Sequence, residues 1–334
     1  MIGWRWGWSR GDERRPEMTV RYADWPCGCV SGYAGSAGFQ AICTEGETCK
    51  SKKKFGCIGD LRCFSGRTQI LIRRSKHKCM MNEEKFADIF LPYTTAVFKL
   101  HRTNSIEFFG SALMIQHIGK YYLVSAAHVL DHLNDEEPLF INLPTGLIRL
   151  EGNICSTATA NQRTRRDDPI DIGVMALPES HAHLFENASF VTSDKLDTKQ
   201  EVHAKHGYVV AGYPVTKNKN SVDPDTKSIN PSAYIGLCWE ADDDVYSQLN
   251  GHRGLSLALN FNRKKVFSIE GTKRTAPALN GLSGAPVWGF TKDGAARVAG
   301  ILIEHHQGTK KCIVATRSVC IMPPIEILIN SNRL

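Results

Sequence analysis

Asn280-Gly281-Leu282-Ser283-Gly284-Ala285-Pro286-Val287 sets a serine in a tight, glycine-flanked turn just ahead of an apolar run. Gly281 accepts backbone angles that other residues resist, so the N–H groups of Gly281 and Ser283 can be aimed together at one point. Upstream, Tyr122-Leu123-Val124-Ser125-Ala126-Ala127-His128-Val129 puts a histidine at the end of one apolar run. Asp171-Ile172-Gly173-Val174-Met175-Ala176-Leu177 puts a carboxylate at the start of another. The three motifs follow one another along the chain as histidine, aspartate, serine.

Each residue type answers a chemical need. A serine hydroxyl is a poor nucleophile near neutral pH, so an imidazole must take its proton, and a buried carboxylate must fix the imidazole tautomer and stabilise its cation. Ser283 is the expected nucleophile, His128 the general base and then acid, and Asp171 the residue that orients His128. The developing oxyanion needs donors already in place, which the Gly281 and Ser283 N–H groups would provide. Asp167 and Asp168 are rival carboxylates. Asp171 is preferred because Ile172, Val174 and Met175 continue as a buried strand, whereas Arg163 through Asp168 reads as a solvated loop.

The phrases YYLVSAAHVL (121–130), DIGVMAL (171–177) and GLSGAPVWG (281–289) resemble the histidine, aspartate and serine motifs of the trypsin-like (chymotrypsin-fold) serine peptidases, particularly bacterial members without a secretory leader. EFFGSALMIQ, Glu107 to Gln116, is similar to the glycine-centred strand that precedes the histidine motif there. The likeness runs from Phe90 to Ile325. It implies an all-β fold of two six-stranded β-barrels packed around a catalytic cleft, with a short C-terminal helix and an atypical N-terminal extension. The expected divisions are 1–80 for the extension, 81–200 for a first barrel holding His128 and Asp171, and 201–334 for a second holding Ser283 and the helix.

The resemblance also implies a primary pocket lined by Pro277-Ala278-Leu279-Asn280 and the strand Gly300-Ile301-Leu302-Ile303, so Pro277, Asn280, Ile301, Leu302 and Ile303 are the candidate substrate-binding residues. Pro277 stands six residues before the serine, where trypsin-like members hold an acid, which points to a small or medium apolar residue before the cleaved bond. Glu304, His305 and His306 are placed at the pocket mouth, where a histidine would instead favour an acidic side chain. Leu282 replaces the aspartate that receives a new N-terminal amine in secreted digestive members, so activation by chain-end insertion is not expected. Ala285 replaces a common second glycine.

The expected activity is peptide-bond hydrolysis through an acyl-enzyme, on a protein or peptide substrate. The alternative is a trypsin-fold module of weak or no turnover that serves in binding or regulation. An α/β-hydrolase is excluded, because its G-x-S-x-G elbow is broken by Ala285 and its acid and histidine would follow the serine. Triad chemistry requires no cofactor and no metal; Asp242-Asp243-Asp244 reads as a solvated acidic loop.

Length and composition fit one enzyme with an appendage. The chain has 334 residues, 42% of them hydrophobic, enough for a sizeable core. Residues 1–80 contain 15 of the 41 Lys and Arg against 7 of the 34 Asp and Glu, a net +8, while the remainder balances 26 against 27. Cys27, Cys29, Cys43, Cys49, Cys57, Cys63 and Cys79 lie there too, with Trp4, Trp6, Trp8 and Trp25. Their spacing is too irregular for a zinc module. Clusters such as Lys50-Ser51-Lys52-Lys53-Lys54 would suit a nucleic-acid arm, but the favoured expectation is a poorly ordered extension, or translated upstream sequence ahead of Met80-Met81. The first residues form no signal-peptide h-region and no apolar run is long enough to span a membrane. The expectations are therefore a cytoplasmic location, no membrane partner, and reduced, mostly buried thiols at Cys155, Cys238, Cys312 and Cys320.

Alternating or apolar runs predict strands at Thr95–Leu100, Phe108–Ile115, Tyr121–Ser125, Leu139–Leu143, Asp171–Leu177, Tyr208–Ala211, Lys265–Ile269, Pro286–Gly289, Val298–Ile303 and Cys312–Ala315. Helix is predicted at Pro323–Ile329 and briefly at Leu130–Leu133. Thr216–Ser232 and Glu240–Gly254 read as polar inserts rimming the cleft.

Overall fold

Seven strands build the first half: β1 (Thr94–Leu100), β2 (Ile106–His117), β3 (Lys120–Ala126), β4 (Leu139–Leu143), β5 (Gly146–Arg149), β6 (Ile154–Thr157) and β7 (Ile172–Ala176). They pair antiparallel in the order β6-β7-β3-β2-β1-β4-β5. β5 and β6 are one bent path of chain, residues 146–157. Its start pairs with β4 and its end with β7, so the sheet curls into a six-stranded barrel. The second half is a closed antiparallel ring of β8 (Tyr208–Gly212), β9 (Tyr234–Glu240), β10 (Ser256–Asn260), β11 (Pro286–Phe290), β12 (Ala296–His306) and β13 (Cys312–Arg317), in the order β8-β11-β12-β13-β10-β9, with β9 returning to β8. This is the chymotrypsin-like double barrel that the three motifs imply.

In this computed structural model the described residues are 83–331, less 104, 135–136, 158–164, 166–167, 219–228, 250–251, 268–272 and 307–310, together with short strands at Trp4–Ser9, Met18–Val20, Cys63–Phe64 and Arg67–Thr68. The Trp4–Ser9 backbone pairs with β6. The expectation for the rest of residues 1–80, including the basic clusters, lies outside the described residues.

Alternation along each strand explains why the motif runs are apolar on both faces. Leu113 and Ile115 of β2, and Tyr122 and Val124 of β3, face a cluster shared by the two barrels, whereas Ala112, Met114 and Leu123 face the interior of the first barrel. In the second barrel Trp288 and Phe290 face the shared cluster while Val287 faces inward. Helix α1 (Glu83–Phe90) docks on that seam: Phe90 packs at a tilt against Trp288 with ring centroids 5.2 Å apart and edge-on against Phe290 at 6.2 Å. The C-terminal helix α4 (Met322–Ser331) adds Ile325 and Leu328. Its bounds enclose the predicted Pro323–Ile329.

Some expectations need correction. Strands β5, β6, β9 and β10 were not predicted; within Lys265–Ile269 the described strand is Val266–Phe267, and residues 268–269 lie outside the described residues. Asp242 takes the N-cap position of α3 (Asp243–Gln248), so the acidic run is the start of a helix rather than a loop, with its charges at the favourable end of the helix dipole. Asp168 is not solvated: it is 8% exposed and hydrogen-bonded within the loop that carries Asp171.

Candidate active site

His128 sits in a short helical turn, α2 (Ala127–Leu130), that follows β3 directly. Asp171 sits one residue before β7, the antiparallel neighbour of β3, where Ile172 faces Ala126 across the ladder. Register alone therefore brings the two motifs side by side. Three bonds then join them: the Ala127 N–H donates to the Asp171 carbonyl at 2.8 Å, the His128 N–H donates to Asp171 Oδ1 at 2.9 Å, and His128 Nδ1 lies 2.5 Å from Asp171 Oδ2. An ionised carboxylate only accepts, so the proton of that last bond belongs on Nδ1, which leaves Nε2 as the basic nitrogen. Asp171 is 7% exposed and burial raises its carboxyl from the ordinary value, with the His128 hydrogen bond pulling the other way. Its φ of 45° is a conformation uncommon outside glycine, though an aspartate adopts it more readily than most.

The serine turn belongs to the second barrel but is fastened to the first. The Ser111 N–H of β2 donates to the Ser283 carbonyl at 2.9 Å, and the Ser111 hydroxyl donates to the Gly281 carbonyl at 2.9 Å while accepting from the Tyr213 N–H at 3.0 Å. The Ser125 hydroxyl of β3 in turn donates to the Ser111 carbonyl at 2.8 Å. Gly284 lies so close that a Cβ there would meet the Ser111 carbonyl oxygen at 1.9 Å and Ser125 Oγ at 2.0 Å. A Cβ on Gly110 would lie 3.0 Å from a methyl of Val129 and 3.4 Å from the Ser283 carbonyl oxygen, so the residue after the histidine and the serine backbone flank one point.

The same turn orients two donors. The Asn280 carbonyl accepts from the Val215 N–H at 2.7 Å and the Leu282 carbonyl from the Ala285 N–H at 2.9 Å. In a trans peptide the N–H points away from the C=O, so fixing these two carbonyls fixes the N–H groups of Gly281 and Ser283 on the other side. The N–H groups of Leu282, Gly284 and Ala285 are each engaged by a carbonyl; among the described residues no backbone carbonyl takes those of Gly281 and Ser283. Gly281, at φ 87°, is the residue that permits this path, because a Cβ there would meet Val215 and Phe108 at 2.7 and 2.9 Å.

The candidate pocket residues fall in different settings. Pro277 is half-buried and Asn280 exposed, both on the segment leading into the turn. Ile301, Leu302 and Ile303 are buried and project into three separate clusters: the seam, the second-barrel core and the first-barrel core. What this strand presents to the serine turn is backbone, since Leu302 exchanges hydrogen bonds with Gly284 and Ala285 at 2.7 and 2.8 Å. Further along, His305 packs edge-on against Phe261 at 5.8 Å, and burial lowers its pKa, helped by His306 and Arg263. Ser111 and Val215, which hold the turn, were not singled out from sequence; the only signal for Ser111 was its place in the glycine-centred phrase before the histidine motif.

No protein-family model and no curated protein matches the chain. Among solved structures it is similar to the serine endoprotease from Yersinia pestis, at 13% identity and a TM-score of 0.42, over 75% of this chain and 68% of that one. No helix among the described residues is long and apolar enough to cross a membrane.

Proposed function

We propose that the chain is a serine endopeptidase acting on proteins or peptides. The observation that carries this reading is the short His128–Asp171 pair, built by strand register beside a serine turn whose two outward N–H groups are unengaged by backbone carbonyls among the described residues. In the proposed reaction, Ser283 Oγ attacks the carbonyl carbon of the substrate as His128 Nε2 removes its proton. Asp171 holds the imidazole and offsets its positive charge. The oxyanion rests on the N–H groups of Gly281 and Ser283, a contribution that typically amounts to about 10²–10³ in turnover for one donor. His128 then protonates the leaving amine, water replaces it, and the same base activates that water to release the acyl group.

Reaction with a fluorophosphonate probe tests the assignment. The full chain is expected to label once, at Ser283, with Ser283→Ala and His128→Ala failing to label. A folded wild-type chain that does not label refutes the enzyme reading. A peptide-library profile of the labelled protein then tests whether the pocket takes a small or medium apolar residue before the cleaved bond.

A further inference from the structure

The loop between β6 and β7 contains a charged side chain that triad chemistry does not use. Arg165 extends its guanidinium between two carboxylates. Nε and Nη2 donate to Oδ2 and Oδ1 of Asp131 at 2.7 and 2.8 Å, a two-pronged bond, while Nη1 donates to Asp168 Oδ2 at 3.0 Å and to the Thr157 carbonyl. Asp131 lies three residues after His128, just past α2, and Asp168 lies three residues before Asp171. One cation therefore spans the segment that carries the histidine and the segment that carries the aspartate.

The Asp168 end reaches Asp171 through the backbone. The Ile170 N–H donates to Asp168 Oδ1 at 3.0 Å, the Thr157 hydroxyl donates to Asp168 Oδ2 at 2.5 Å, and the Ile172 N–H donates to that same hydroxyl oxygen at 3.1 Å. The amides on both sides of Asp171 are thus tied to one carboxylate, and Asp171 between them holds its uncommon positive φ. The Asp168 side chain is only 3% exposed. Without a cation, a carboxylate so buried would be costly to keep ionised, and the geometry it imposes on Ile170 and Ile172 would relax.

We propose that Arg165 is a positioning residue: by bridging Asp131 and Asp168 it sets the separation of His128 from Asp171 and holds Asp171 in its strained conformation. This rests on the triad reading above. A lysine would supply the charge without the planar fork.

The test compares Arg165→Met, Arg165→Lys and Asp131→Asn with wild type, using Arg149→Met, at an exposed ion pair with Glu151, as the control. Arg165→Met is expected to lower kcat by roughly 10- to 100-fold, as small misplacements of reacting groups do, with KM changed by less than about twofold. Arg165→Lys should recover only part of the loss, and Arg149→Met should match wild type. The proton on His128 Nδ1, observed far downfield by NMR, should shift in Arg165→Met and Asp131→Asn. Should Arg165→Met not fold, Asp131→Asn, which removes only the more exposed end, reads the same quantities. A folded variant with unchanged kcat and an unmoved proton overturns the proposal, as does a rise in KM alone. If wild type fails to label, the peptidase reading falls, but the downfield proton still decides whether Arg165 positions the pair.

Discussion

Asp171 occupies a site that works against it twice, through a left-handed backbone and through burial of its charge. Burial makes the folded chain hold the Asp171 proton more tightly than the unfolded chain does. Stability from this group is therefore complete below the ordinary aspartate value and is lost as pH rises through the raised folded value. An asparagine side chain in its place would carry no such penalty and tolerates positive φ well. Asp171→Asn is accordingly expected to melt no lower than wild type at neutral pH, with the difference growing from acid to neutral, while turnover falls by about 10⁴-fold because the imidazole adopts the wrong tautomer. Thermal melts across pH, paired with probe labelling, check both halves. A lower melting temperature for the variant at neutral pH would mean that the ionised carboxylate stabilises the fold. At this scale the sequence reveals which carboxylate faces His128 because Asp171 opens an apolar strand. It conceals the part played by Asp168, whose polar surroundings read as solvated when a half-buried arginine and a buried threonine in fact satisfy them.

The turn from Asn280 to Ala285 belongs to the second barrel and is fastened to β2 of the first. Gly284 combines a φ of 89° with a position where a Cβ would overlap the Ser111 carbonyl oxygen and Ser125 Oγ. The two are hydrogen-bonded to each other at 2.8 Å, and Ser111 is further held by its bonds to the Ser283 and Gly281 carbonyls, so neither can readily step aside. Gly284→Ala is expected to destabilise the protein by at least about 3 kcal/mol, more than left-handed strain alone, and to abolish labelling even at temperatures where the protein is folded. Urea titration and labelling at low temperature separate the two effects, and a variant that labels normally would mean that the turn is more compliant than its contacts imply. Strands flanking the motifs were readable because they are buried on both faces and bounded by glycine and polar clusters. β5 and β6 were not, since Gly146–Arg149 is only half-buried to exposed and the chain bends between them. β9 and β10 were hidden for a different reason. Gly236, Glu240 and Asn260 interrupt their alternation, and their neighbours are polar inserts of a length that reads as loop.

Across the whole molecule, a seam of side chains from both barrels, α1 and α4 forms one continuous core. Neither barrel retains its apolar surface alone, so the two should unfold together. Phe90, fully buried between Phe86, Trp288 and Phe290, ties α1 to the second barrel. Phe90→Ala is expected to cost about 3–5 kcal/mol and to lower the stability of both halves in a single calorimetric transition. Two resolved transitions, with only one of them shifted, would contradict a shared core.

Four cysteines, Cys155, Cys238, Cys312 and Cys320, are buried and unbridged, and burial pushes the first, second and fourth up to about 12. At pH 8 only on the order of one in 10⁴ of such thiols is ionised, so alkylation must wait for the protein to open. Cys155 and Cys320 line the seam, Cys238 lies inside the second barrel, and Cys312 lies under α3. The chain thus contains its own stopwatches, two in the seam and one each inside the second barrel and under α3. Mass spectrometry after timed exposure to iodoacetamide should find all four tagged at one common rate; tags on Cys155 and Cys320 that precede the one on Cys238 would reveal halves that part while each stays shut.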